Sequence, residues 1–237
     1  MCEIAIAYDV ESIERAVELD ERLGAGPEIA KIGLQLFTAA GPEVVRALRS
    51  RGRRVFLDLK LHDIPNTVMG AAAEASALGA ELLTVHAMGG HEMVAAAVAG
   101  AKRGGGGTRV IGVTVLTSLD AYSLPPGFAS PFHAVLVIRG LLDLTLAAGG
   151  HGIVCSAADL PVLRRMHPAP FYAVTPGIRA AGAAHHDQKR VATMAQAVAA
   201  GSQLVVLGRA VTSAADPGAA LASARAECHG ALASAGR

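Results

Sequence analysis

Tryptophan is absent from this 237-residue sequence, and aromatic residues make up only 3% of it. Any core must be filled by Ala, Val, Leu and Ile, and a hydrophobic content of 52% supplies ample material. Charge is scarce too: charged residues are 17% and the formal net charge is +1. The basic residues are dispersed rather than gathered in a stripe, which leaves no electrostatic case for nucleic acid or an acidic membrane surface. Cysteine is limited to Cys2, Cys155 and Cys228, with no CxxC pair and no metal-ligand spacing. Cys155, in the apolar run GIVCS, reads as a buried small hydrophobe. There is no basic N-terminal region followed by a long apolar segment, and no run nears the ~18 apolar residues of a membrane span. The expectation is a cytoplasmic protein with no nucleic-acid or membrane partner and no cysteine metal site.

What is present is regular. Short apolar runs alternate with Ala-rich amphipathic segments from end to end. Strands are expected at Ile4–Tyr8, Ile29–Ile32, Val55–Leu59, Leu82–His86, Val110–Thr114, Gly152–Cys155, Tyr172–Thr175 and Leu204–Leu207. Helices are expected at Ile13–Leu23, Pro42–Ser50, Val68–Leu78, His91–Arg103, Phe132–Ala148, Ala157–Met166, Val191–Ala200 and Pro217–Ala231. Ser12 suits an N-cap, Pro42 and Pro217 suit first turns, and Gly79 and Gly149 follow helical segments as C-terminal residues do. Gly104–Gly107 reads as a flexible surface connection. Alternating β and α calls for a parallel sheet, and eight units in this length favour a closed (β/α)8 TIM barrel. A doubly wound open sheet is the alternative, but no GxGxxG follows the first strand. No linker divides the chain, so residues 1–237 are expected to form one domain.

The richest stretch is Val55–Thr67, VFLDLKLHDIPNT. Strand alternation would put Asp58 and Lys60 on one face, with Asp63 following where the strand gives way to a loop. Pro65 would open the next helix. Burying charges costs several kcal/mol per ion, as an order of magnitude, unless they are paired. A structural salt bridge is one reading of this cluster; a catalytic charge cluster is the other. Barrel active sites lie at the C-terminal ends of the strands. The polar residues expected on that rim are Asp9, Lys31, Asp58, Lys60, His86, Thr117, Ser118, Arg179, Gly208 and Arg209. The glycine–arginine segments TPGIR (Thr175–Arg179) and Gly208–Arg209 suit a phosphate, through close backbone approach and forked guanidinium contacts. The polar segment between them, Ile178–Arg190, could close as a lid.

The string DLKxHDIPNT closely resembles the signature of the orotidine 5′-phosphate decarboxylases. KIGLQLF around Lys31, VHAMGG, VTVLTS, GIVCSA, TPGIR, DQKR and LVVLGRAVT extend the resemblance over nearly the whole chain, in order. It implies cofactor-free conversion of orotidine 5′-phosphate to UMP, with Lys60 stabilising and protonating a carbanion and Asp58 beside it. It further implies that Asp9 and Lys31 bind the ribose, that Ser118 with Thr117 contacts the pyrimidine, and that Arg179, Gln188, Gly208 and Arg209 serve the phosphate. Asp63 and Thr67 would reach into the site of a neighbouring subunit, which implies a homodimer. The chain departs from the family at Tyr8, at His185–His186, at Ala210 and over Tyr122–Leu141. Two other readings are a Mg2+-dependent phosphosugar enzyme sharing the D-x-K-x-x-D pattern and a catalytically silent phosphonucleotide-binding barrel. His86 and His91, five apart, do not have the spacing of a zinc pair on one helix face.

Overall fold

The computed structural model describes residues 2–26, 28–119, 134–178 and 192–235. Eight parallel strands close into a barrel in sequence order, with the last pairing to the first. They are β1 (Glu3–Ala7), β2 (Ile29–Gly33), β3 (Arg54–Leu61), β4 (Leu82–His86), β5 (Arg109–Val113), β6 (Gly152–Val154), β7 (Tyr172–Thr175) and β8 (Leu204–Leu207). The helices are α1 (Ile13–Leu23), α2 (Leu34–Ala40), α3 (Pro42–Ser50), α4 (Pro65–Ala77), α5 (Gly90–Gly104), α6 (Ala134–Ala147), α7 (Leu160–Met166), α8 (Met194–Ala199), α9 (Arg209–Thr212) and α10 (Pro217–Ala235). The expected (β/α)8 barrel is the observed fold.

Several local signals act as the sequence indicates. The Ser12 side chain accepts from the Arg15 backbone N–H at the start of α1, and prolines open α3 and α4. Two helices had no sequence signal. LQLFTAA, the whole of α2, is too short to display a period, and α9 has only four residues. Phe132 and Val191, at the starts of the expected fifth and seventh helices, lie outside the described residues.

Alternation along each strand sorts side chains between two cores. Ala5, Ala7, Ile29, Phe56, Leu82, Ile111, Val174, Leu204 and Val206 form the inner cluster, inside the barrel. Ile4, Ile6, Tyr8, Ile32, Leu57, Leu83 and Val85 pack outward with the helices. Tyr8, a departure from the family pattern, is buried there, and its hydroxyl donates to Asp20 Oδ1 on α1 at 2.7 Å. Asp20 also accepts from Arg51 and Arg53.

The bottom of the barrel is closed by charge. Arg54 donates to both Glu81 carboxylate oxygens and to Glu3 Oε1. Arg109 donates to Glu81 Oε1 at 2.7 Å and lies over the Tyr172 ring, whose hydroxyl donates to Glu3. The Arg54 guanidinium, above all, holds the Glu81 carboxyl below its ordinary range, against the opposing effect of burial.

Gly105–Gly107 is the exposed connection to β5 that the sequence indicates, but part of the glycine run is also packed. Gly104 ends α5, and a Cβ on Gly100, Gly104 or Gly106 would collide with a backbone carbonyl of α4: Met69, Ala73 and Ser76 respectively. Close approach to the α4 backbone accounts for Gly104 and Gly106, and left-handed backbone for Gly105 and Gly107, at φ of 75° and 72°.

Two predictions follow from this packing. Gly104→Ala should lower stability by about 1–3 kcal/mol, because the overpacked backbone contact outweighs the gain in helix propensity; the urea midpoint measures it. Glu81→Gln should cost about 2 kcal/mol at neutral pH through the lost charged hydrogen bonds. The Glu81 carboxyl titrates lower in the folded state, so its contribution is complete above the ordinary value of 4.5 and fades as pH falls through the folded value. The gap between wild type and Glu81→Gln should therefore narrow in urea titrations on going from neutral pH to about pH 3.

Candidate active site

At the C-terminal ends of the strands the inward columns turn from apolar to charged. Ala7 is followed by Asp9, Ile29 by Lys31 and Phe56 by Asp58, each two residues on. Lys31 Nζ lies 3.0 Å from Asp9 Oδ1 and 4.0 Å from Asp58 Oδ2. Lys60 Nζ lies 2.7 Å from the same Asp58 oxygen. The four side chains thus form an alternating array, Asp9–Lys31–Asp58–Lys60, in which each charge has an opposite neighbour. Gly33 makes the space for it: a Cβ there would sit 3.1 Å from Lys31 Nζ and 3.3 Å from Asp9 Oδ1.

Asp58 and Lys60 do share the site, but not through regular alternation. Leu57 pairs with Leu83 and Leu61 with Val85, so β3 advances four residues while β4 advances two. The extra residues form a bulge. Within it Lys60 has φ of 49°, the one positive value among the described non-glycine residues. That conformation costs an L-residue roughly 1–2 kcal/mol, and strain of this kind collects at functional sites. The Lys60 N–H, displaced from the ladder, donates to Thr84 Oγ1 at 2.9 Å, and the Thr84 hydroxyl donates to Asp58 Oδ1 at 2.9 Å. A lone threonine in the apolar run LLTVH is a weak signal, and sequence reasoning missed it.

The array forms one wall of a cavity of about 600 Å3 at the barrel mouth. Phe56, Val154, Val174 and Val206 floor it. Gly177 follows β7, and Gly208 and Arg209 follow β8; all three line the cavity. One side therefore offers paired charges and the other offers glycine backbone with a guanidinium, separated by an apolar floor.

The remaining expected residues divide. Thr117 lines the cavity, whereas Ser118, the next residue in the same turn, is exposed and outside the lining. Asp63 does not join Asp58 and Lys60 in its own chain: it is exposed, and its Oδ1 accepts from the Ile64 N–H at 2.6 Å as the chain turns into α4. Thr67, in the first turns of α4, is exposed as well and lines no part of the cavity. Arg179 and Gln188, with His185–His186 and all of the expected lid after Ile178, lie outside the described residues. His86 ends β4 and stacks on His62, with ring centroids 5.2 Å apart. Burial, with help from the neighbouring His62 and Lys60 charges, pushes its imidazole below the usual histidine range. Cys155 is fully buried, and burial raises its thiol far above the ordinary value. Among the described residues, no group of three His, Cys, Asp or Glu side chains stands together as metal ligands, and no helix is long and apolar enough to cross a membrane.

Residues 3–224 match the model of the orotidine 5′-phosphate decarboxylase / HUMPS family. Over 198 residues the chain is 56% identical to an orotidine 5′-phosphate decarboxylase of Anaeromyxobacter sp. (strain K), covering 82% of this chain and 85% of that protein. It is 46% identical over 225 residues to the enzyme of the same name from Synechococcus sp. (strain WH7803), covering 93% of this chain and 92% of the relative. Among solved structures, an orotidine 5′-phosphate decarboxylase from Lactobacillus acidophilus superposes with a TM-score of 0.85 at 32% identity, covering 96% of this chain and 99% of that one.

Proposed function

Because the chain belongs to the orotidine 5′-phosphate decarboxylase / HUMPS family, we propose that it converts orotidine 5′-phosphate to UMP and CO2 in pyrimidine biosynthesis. The observation that carries the chemistry is the alternating array ending in Lys60, whose ammonium stands at the cavity beside a fixed carboxylate. The phosphate occupies the side lined by Gly177, Gly208 and Arg209, and the pyrimidine lies over the apolar floor. The bond from C6 to the carboxylate breaks, CO2 departs, and the electron pair stays on C6. The Lys60 ammonium, positioned before the reaction, stabilises that charge and then gives C6 a proton; solvent restores the lysine. Asp58 holds Lys60 and stands near the departing carboxylate, while Asp9 and Lys31 bind the ribose. Phosphate contacts far from C6 are the kind of remote binding energy that can serve the reacting centre.

A Mg2+-dependent phosphosugar reaction suits this wall poorly. Asp9 and Asp58 already face ammonium groups, whose charge opposes a divalent cation in the same place. The working form in this reading is a homodimer, in the cytoplasm. Leu34, Ile64 and Met88 are exposed apolar side chains just beyond three neighbouring strands, β2, β3 and β4. Asp63 and Thr67 flank Ile64 on the same rim, where a second copy would cover the apolar groups and receive both polar side chains in its cavity.

Loss of absorbance as orotidine 5′-phosphate becomes UMP should proceed equally with and without EDTA. Lys60→Ala should lower kcat about 10³-fold or more while leaving the thermal midpoint near wild type. Near-wild-type turnover by that variant, or an activity that EDTA stops, would sink the reading. Arg209→Ala should act mainly by raising KM. Sharing of the site has its own test. Lys60→Ala and Asp63→Asn should each be impaired, yet an equal mixture that exchanges subunits should regain about a quarter of the wild-type sites; no regain on mixing would mean the sites are not shared.

A further inference from the structure

Three observations converge on Thr84, a residue outside the cavity lining. It is fully buried on β4. Its hydroxyl is the acceptor for the backbone N–H of Lys60, the residue held at positive φ. The same hydroxyl donates to Asp58, on the oxygen that Lys60 Nζ does not use. The directions are fixed by chemistry: a backbone N–H can only donate, an ionised carboxylate can only accept, and a hydroxyl does one of each. Side chain and backbone of Lys60 are therefore tied to Asp58 by two routes, one direct and one through Thr84. Without the hydroxyl, the half-buried Lys60 N–H and one Asp58 oxygen would lose this partner together.

We propose that Thr84 is a positioning residue for the decarboxylation, its hydroxyl holding Lys60 in the left-handed bulge and Asp58 in the orientation from which the pair acts. The proposal rests on the assignment of Asp58 and Lys60 to the chemistry. It adds that the lysine is held by its backbone as well as by its ammonium, from the neighbouring strand. The phosphate side of the cavity does not depend on this clasp, so an effect on turnover should not be an effect on binding.

The test compares Thr84→Val, which keeps the shape and removes the hydroxyl, with Thr84→Ser, which keeps the hydroxyl and removes the methyl. Thr84→Val should lower kcat by roughly 10- to 100-fold, the effect of losing a charge-assisted hydrogen bond. Its KM and its affinity for UMP should stay within about threefold of wild type, and Thr84→Ser should keep kcat within about threefold. Should Thr84→Val fail to fold, Thr84→Ala set against Thr84→Ser gives the same comparison, with and without the hydroxyl. The proposal is overturned if the variants lacking the hydroxyl turn over like wild type, or if Thr84→Ser is as impaired as they are. A loss of UMP affinity that parallels the loss of kcat also overturns it, because that is general loosening. Lys60→Ala measured alongside separates the two levels. If that variant is inactive while Thr84→Val is normal, only the positioning claim fails; if Lys60→Ala is itself active, the catalytic assignment fails first.

Discussion

The Asp58 carboxylate sits between two ammonium groups, with Lys60 Nζ at 2.7 Å and Lys31 Nζ at 4.0 Å, in a mouth floored by valine and phenylalanine. Removing any of these charges from water costs several kcal/mol, as an order of magnitude, and pairing offsets that cost only when the geometry is held. The alternation from Asp9 to Lys60 is the arrangement in which every member has an opposite charge beside it. It also leaves the terminal ammonium, the more exposed end of the Asp58–Lys60 pair, beside the cavity. The charges are therefore gathered at the cavity with each facing an opposite one.

The other end of the same barrel shows what the physics gives without a cavity. Arg54 and Arg109 converge on Glu81, Glu3 closes the ring through Arg54 and Tyr172, and the guanidinium forks saturate the carboxylates. The inward face of β3 spans both situations, from Arg54 through Phe56 to Asp58. Charge at the bottom closes the barrel; at the top, a strained backbone and an open space accompany it. That contrast separates an ion network that only closes a barrel from one that faces a cavity more clearly than charge density alone.

The helices bear on the site through α4. Its first residue, Pro65, follows the loop that leaves the bulged end of β3, and its far side is seated against α5 through Gly100, Gly104 and Gly106. Close backbone contact of this kind leaves little freedom for α4 to shift. The loop carrying Asp63 and Ile64 is thereby held at the rim, outward from its own cavity, rather than folding over it.

Much of this was legible in the sequence. Leu82–His86, Tyr172–Thr175 and Leu204–Leu207 are strands to the residue, and Asp9, Lys31, Asp58 and Lys60 stand together as their positions at strand ends indicate. Those features rest on local rules, apolar periodicity and the place where a strand stops, except that Lys60 joins the array through the bulge rather than through alternation. The sequence also placed Asp63 with Asp58 and Lys60, and there the folded chain differs. Tertiary structure alone decided the bulge in β3, the left-handed Lys60, the clasp from Thr84 and the glycine seam between α4 and α5. Each depends on a neighbour distant in sequence, such as the register that Leu61 takes against Val85 or the carbonyl that Gly104 meets at Ala73. The residue types that can act are set by the chain itself; the angle at which they meet is set by what packs against them.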